Sequence, residues 1–192
     1  MRQIVYDKYF WQNELVRLRA MEESDWEDHY YNRFDTPARR LLNYEVELPP
    51  TETEAKDLIT RFGDFRPGTG RIMFTITTLD GQSVGGINLN SIDAKNGTFS
   101  IGVQIDRDHR GKGYGTAAME IVLRYAFYER RLNKYYGSVL EGNIASATML
   151  RKLGCVEEGR RRQMVYTQGR YYDEILFGLT RSEFEKRYPP GL

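Results

Sequence analysis

Phe99-Ser100-Ile101-Gly102-Val103-Gln104-Ile105, followed after four residues by Arg110-Gly111-Lys112-Gly113-Tyr114-Gly115, is the stretch on which the fold turns. Phe99, Ile101, Val103 and Ile105 alternate with Ser100, Gly102 and Gln104, the period of two that a half-buried strand requires. Beyond the loop, Met119, Val122, Leu123, Ala126 and Phe127 form one apolar stripe of a helix expected from about Thr116 to Arg131. A glycine-rich loop therefore passes directly from a strand into the first turn of a helix. Glycines at alternate positions admit backbone conformations barred to other residues and let a ligand approach the main chain without meeting Cβ atoms. The free N–H groups and positive dipole end at a helix start suit a diphosphate. Arg110 and Lys112 would add charge-assisted contacts.

Three readings compete for such a loop. A dinucleotide-binding loop needs Gly-x-Gly-x-x-Gly after an early parallel strand, whereas this one is Gly-x-Gly-x-Gly after an antiparallel meander. A nucleotide P-loop needs Gly-Lys followed by Ser or Thr, and Gly111-Lys112-Gly113 fails that test. The third reading is a glycine-rich turn with no ligand.

Working outward towards the N-terminus, Arg71 to Thr77 alternates as a strand, with Ile72, Phe74 and Ile76 on one face. Asp80-Gly81 and Asn96-Gly97 are hairpin signals in which both central residues are expected at positive φ, giving three antiparallel strands at residues 71–77, 83–90 and 98–105. Leu15 to Arg19 is a further strand. Ser24 with Glu27, and Thr51 with Glu54, have the spacing of reciprocal helix caps. Tyr30 to Glu47, rich in Arg and aromatic residues, reads as helix then loop.

Towards the C-terminus, Lys134 to Leu140 reads as a strand, and Asn143 stands as the cap of a helix that Gly154 ends. Met164 to Tyr166 and Tyr171 to Leu179 form a hairpin turning at Gln168-Gly169, followed by a short charged helix from Thr180 to Tyr188. The expected fold is mixed α/β (α+β), one mostly antiparallel sheet flanked by helices.

The chain has 192 residues, the size of one domain, and no Gly/Ser linker or repeat divides it, so a single domain over residues 1–192 is expected. Lys and Arg number 28 against 27 Asp and Glu, so no field of one sign favours nucleic acid or an anionic membrane. The start Met1-Arg2-Gln3-Ile4-Val5-Tyr6-Asp7 lacks the apolar core of a signal peptide, and no apolar run reaches membrane-spanning length. Cytoplasmic residence is the default expectation. Cys155 cannot make an internal disulfide, and His29 and His109 are too isolated to suggest a metal site.

Arg/Gln-x-x-Gly-x-Gly/Ala at the end of the fourth strand, opening the third helix, is the signature of the GNAT acetyltransferases, and Arg110, Gly113 and Gly115 match it. Asn143-Ile144-Ala145-Ser146-Ala147-Thr148-Met149-Leu150-Arg151-Lys152-Leu153-Gly154-Cys155 resembles that superfamily's second motif, an Asn followed by a helix ending in Lys-x-Gly-Phe. The resemblance runs roughly from Leu15 to Leu179 and is closest to the branch that includes ribosomal-protein alanine acetyltransferases. It implies acetyl-CoA as acyl donor and an amine as acceptor, with a homodimer among the options. It also implies that the backbone of Val103, Gln104 and Ile105 pairs with the pantetheine arm. The amides of Arg110, Gly111, Lys112, Gly113, Tyr114 and Gly115 would hold the pyrophosphate, and Asn143 would meet the pantetheine end.

Acyl transfer from a thioester needs a neutral amine, a donor for the developing oxyanion and a proton for the thiolate. Neutralising an alkyl amine of pKa ~10.4 costs about 4–5 kcal/mol at pH 7, and an α-amine only about 1. The N–H of Gln104 or Ile105 is the candidate oxyanion donor. Where many relatives carry a Tyr acid this chain has Leu150, and where many carry a Glu on the fourth strand it has Ser100. Ser146, at the place used by ribosomal-type members, is the candidate acid, and Glu141 the candidate base through a water. Both also have plain alternatives, a first-turn helix residue and a solvated loop charge. Asp173 and Glu174 are further cleft candidates, although a hairpin edge normally carries exposed charges, and Arg160-Arg161-Arg162 reads as mostly solvated. The sheet is expected to splay at its fourth and fifth strands, with acceptor walls from Tyr30 to Glu47. A succinyl-type transferase and a catalytically silent acyl-CoA-binding module are the alternative functions.

Overall fold

A computed structural model describes residues 4–65 and 70–191. Seven strands, β1 (Arg17–Ala20), β2 (Ile72–Thr77), β3 (Ser83–Asp93), β4 (Thr98–Ile105), β5 (Lys134–Leu140), β6 (Val156–Thr167) and β7 (Arg170–Thr180), form one sheet in the order β1-β2-β3-β4-β5-β7-β6. Every pairing is antiparallel except β4 with β5. The helices are α1 (Trp26–Asn32), α2 (Thr36–Asn43), α3 (Glu52–Phe62), α4 (Tyr114–Arg124), α5 (Ile144–Lys152) and α6 (Arg181–Arg187). The expected bounds of β4 and β5 coincide with the observed ones.

The stripe read on α4 is the core. Met119, Val122, Leu123, Ala126 and Phe127 are all buried, the last two in a π-helical turn that extends α4 over Tyr125–Glu129. Phe127 packs edge-on to Phe99 of β4 and against Phe184 of α6, while Val139, Phe177 and Leu179 complete the layer from β5 and β7. Burying such side chains stabilises by about 1.5–3 kcal/mol each.

Several expectations are corrected. The Ser24–Glu27 cap does not form; the Glu22 N–H instead donates to Asp25 Oδ2 at 2.8 Å. Asp25 is buried because it also grips Arg19 through two hydrogen bonds of 2.7–2.8 Å and accepts from Thr75 Oγ1, and this fixes where the turn begins. The Thr51–Glu54 cap is reciprocal, as expected. The segment from Tyr30 to Glu47 holds a second helix, α2, capped by Asp35 and carrying Pro37 in its first turn. At Asp80-Gly81 and Asn96-Gly97 only the glycine of each pair takes positive φ, 97° and 68°. The Asp80-Gly81 loop runs from Thr78 to Gln82, and a single left-handed glycine reverses it. At Gln168-Gly169 both residues are left-handed, as a two-residue turn demands.

Candidate active site

β4 is paired with β3 along its length, from Asn90 opposite Ser100 to Gly85 opposite Ile105. Its other edge meets β5 only at Thr98–Lys134 and Phe99–Tyr135. Beyond those pairs the two strands diverge, so the β5-facing main chain of Val103 and Ile105 has no strand partner among the described residues, while Gln104 between them turns its N–H and carbonyl to β3. An extended ligand can add there as a strand would. Register thus produces the expected splay.

At its mouth, Gly113 takes φ 88° as the residue preceding α4, and Gly111 takes φ 78°. Gly111, Lys112 and Gly113 are exposed. Gly115 has a different reason to be glycine. A Cβ there would stand 3.4 Å from both Ile105 Cγ1 and Met149 Sδ, so the first turn of α4 rests on the end of β4 and on α5. With Tyr114, these residues set an array of free helix-start amides beside the open edge of β4, an arrangement that fits a diphosphate attached to an extended arm.

Arg110 is placed differently from the simplest expectation. Its Nε donates to the Ile105 carbonyl at 2.9 Å and its Nη2 to Asp35 Oδ2 at 2.6 Å. Arg107 pairs with the same carboxylate at 3.1 Å. Asp35 is only 5% exposed; burial alone would raise its carboxyl, but the two guanidiniums and the Ala38 N–H outweigh this and hold it at about 2. A buried helix cap needs such countercharge. Arg110 therefore ties the loop to α2, and Lys112 is the exposed cation beside the glycines.

α2 lies over the opposite face of the sheet and reaches three strands. Arg39 donates to Gln104 Oε1 of β4 at 2.7 Å and is held by Glu47 through two contacts. Arg40 donates to Thr167 Oγ1 of β6. Tyr44, ending α2 in the left-handed region at φ 65°, sets its hydroxyl 3.0 Å from Ser138 Oγ of β5. That conformation costs a bulky residue about 1–3 kcal/mol. α2 thus spans the divergence of β4 from β5.

The Asn143 side chain caps α5 by accepting the Ser146 N–H at 3.1 Å, and Ser146 is half-buried in the first turn. Leu150 is buried in the core. Cys155 is buried too, and burial pushes its thiol up to about 12, far from a thiolate nucleophile at neutral pH. Glu141 is exposed at the end of β5, paired with Arg160 at 3.0 Å and accepting the Asp173 N–H. Arg160 also pairs with Asp173 at 3.1 Å.

Glu174 departs from the reading of a hairpin edge. β7 lies inside the sheet between β5 and β6, and Glu174 is only 7% exposed. Its Oε1 accepts from Ser138 Oγ at 2.7 Å and its Oε2 from Arg161 Nη1 at 3.0 Å. The run Tyr44–Ser138–Glu174–Arg161 draws α2, β5, β7 and β6 to one point beside the splay. No local pattern announces it, because Ser138 and Tyr44 are distant in sequence from the hairpin.

The chain matches the family model described as the acetyltransferase (GNAT) domain over residues 16–156. It is 30% identical over 176 residues to the uncharacterized SPbeta-prophage-derived N-acetyltransferase YokL of Bacillus subtilis strain 168, covering 92% of this chain and 96% of that one. YdaF of the same strain, to which ribosomal N-acetylation is ascribed, is 34% identical over 106 residues, 55% of this chain and 58% of its own. The crystal structure of spermidine N-acetyltransferase from Vibrio cholerae with CoA and spermine superposes with a TM-score of 0.79 at 21% identity, covering 90% of this chain and 99% of that one, and shares the fold. The domain match and the almost end-to-end likeness to YokL, on a sheet that opens between β4 and β5, place this chain in the GNAT family, as an acyltransferase that uses acetyl-CoA to N-acetylate an amine.

Proposed function

We propose that this protein transfers the acetyl group directly from acetyl-CoA to a primary amine, with the donor in the β4–β5 opening and the acceptor arriving from the α2 side. The observation that carries the reading is the open edge of β4 ending at the helix-start amides of α4. Acetyl-CoA supplies the activated thioester. Val103 and Ile105 would bind its arm by main-chain pairing, and Gly111 to Gly115 its pyrophosphate, with Lys112 adding charge and Arg110 bracing the loop through Asp35. Asn143 would act by holding the start of α5, where Ser146 stands as candidate proton donor to the leaving thiolate. Of the two expected oxyanion donors, the Ile105 N–H is the candidate, since the Gln104 N–H turns to β3. Glu141 is engaged by Arg160, which fits an anchoring role at the exposed corner.

Both a protein N-terminal amine and a small-molecule amine fit this class of acceptor. The likeness to YdaF and to the spermidine enzyme supports testing both. Free thiol released from acetyl-CoA, followed with a peptide bearing a free N-terminus, spermidine and an aminoglycoside, should rise saturably with at least one amine and match the acetylated product in amount. Saturable CoA binding with no amine-dependent release would contradict the proposal and indicate a silent acyl-CoA-binding module.

A further inference from the structure

Ser138 is exposed on β5, within the segment that diverges from β4, and it lies on the sheet face covered by α2. Its Oγ–H points to Glu174 Oε1 at 2.7 Å, which leaves the oxygen's lone pairs for incoming donors. The Tyr44 hydroxyl, 3.0 Å away, takes one of those places. With Ser138 exposed, the other is open to an incoming donor. Glu174 itself is enclosed, with Arg161 from β6 as countercharge on its second oxygen. Among the described residues, the charged and titratable groups that face Glu174 are Arg161 from β6 and Tyr44 from α2.

A hydroxyl hydrogen-bonded to an enclosed carboxylate passes a proton without itself holding charge. The α2 residue in contact with it, Tyr44, has a left-handed backbone at the helix end. Such an outlier persists only where surrounding structure determines it.

We propose that Ser138 meets the ammonium group of the acceptor and relays its proton to Glu174, with Tyr44 orienting the Ser138 hydroxyl. The role rests on the amine acetylation proposed above. The ammonium N–H proton passes to Ser138 Oγ as the Ser138 proton moves to Glu174 Oε1, leaving a neutral amine and a neutral carboxyl. The amine nitrogen then forms its bond to the thioester carbonyl carbon, and the carbon–sulfur bond breaks. The second nitrogen proton goes to the departing thiolate, while the proton on Glu174 returns to solvent. Ser138 is the group that touches substrate, and Glu174 is a positioning residue acting through it.

The test compares wild type with Glu174→Gln and Ser138→Ala, using spermidine and acetyl-CoA and reading kcat/KM against pH, with CoA affinity by calorimetry as the control for folding. At about pH 7.5 each variant should lose about 10²–10⁴-fold in kcat/KM, the usual weight of a proton-transfer group. Between about pH 7.5 and 9.5 the variants should climb roughly tenfold per unit with the free-base fraction of an amine of pKa ~10.4, while wild type stays nearly level. The gap then closes. CoA affinity should remain within about twofold of wild type, since neither residue lies at the α4 loop. A deficit that stays constant across pH, or full activity in a variant that binds CoA, would overturn the relay; should Glu174→Gln not fold, Ser138→Ala decides alone. Wild type that binds CoA yet acetylates neither spermidine nor any other amine would overturn the proposed function and the relay with it.

Discussion

The Asp35 carboxylate caps α2 through the Ala38 N–H and accepts from Arg107 and Arg110 in the loop that precedes α4. Two segments 72–75 residues apart in sequence are thereby fastened by one side chain. Its folded value of about 2 lies below the ~3.9 of an unstructured Asp, so its stabilisation is complete above about pH 4 and is lost as pH falls through about 2. Asp35→Asn should lose about 1–2 kcal/mol at pH 7, allowing for solvent screening at the exposed Arg107. Urea unfolding at pH 7 and at about pH 2 checks this, and the difference between the proteins should shrink at the lower pH. Equal stability at pH 7 would count against the clamp. The sequence alone marks Arg110 by its place in a motif, but its partner Asp35 is visible only once α2 is packed.

Gly115 shows how closely three elements meet at the site. A Cβ would touch Ile105 of β4 and Met149 of α5 at 3.4 Å, which a methyl group tolerates and a branched side chain does not. Gly115→Ala should therefore fold nearly as well as wild type, since alanine's better helix propensity of about 0.8–1 kcal/mol offsets the crowding. Gly115→Val should lose about 1–3 kcal/mol through overpacking, read from thermal unfolding. A Val variant as stable as the parent would mean that α4 does not seat on β4 as described. Elements of this kind were legible because their signals are local. The alternation from Phe99 to Ile105, the Asn143 cap and the α4 stripe each give the right element, and β4 and β5 the right bounds. α2 was not read, although Asp35-Thr36-Pro37 is a helix start, because the Arg and aromatic residues around it carry no clean period. For Glu174 the sequence leaves two readings open, a cleft residue and an exposed hairpin-edge charge, for a non-local reason. Whether a hairpin strand is an edge depends on which strand lies beside it, and β5 lies beside β7.

At the scale of the whole sheet, two sectors part at one opening. Pairing holds β1 to β4 as one sector and β5, β7 and β6 as another, joined only at Thr98–Lys134 and Phe99–Tyr135. The core of α4, α5 and α6 covers one face, and α2 bridges the divergence on the other through Gln104, Ser138 and Thr167. The opening is thus walled by helices on both sides and floored by the two-residue junction. If acetyl-CoA lies there, its binding must bury main-chain N–H groups of β4 that no strand covers. Amide hydrogen exchange with and without CoA tests this directly: the amides of 103 and 105 and those of 111–115 should be protected on binding, while β1 and β2, away from the opening, stay unchanged. Saturable CoA binding that leaves those two segments exchanging as before would contradict the account.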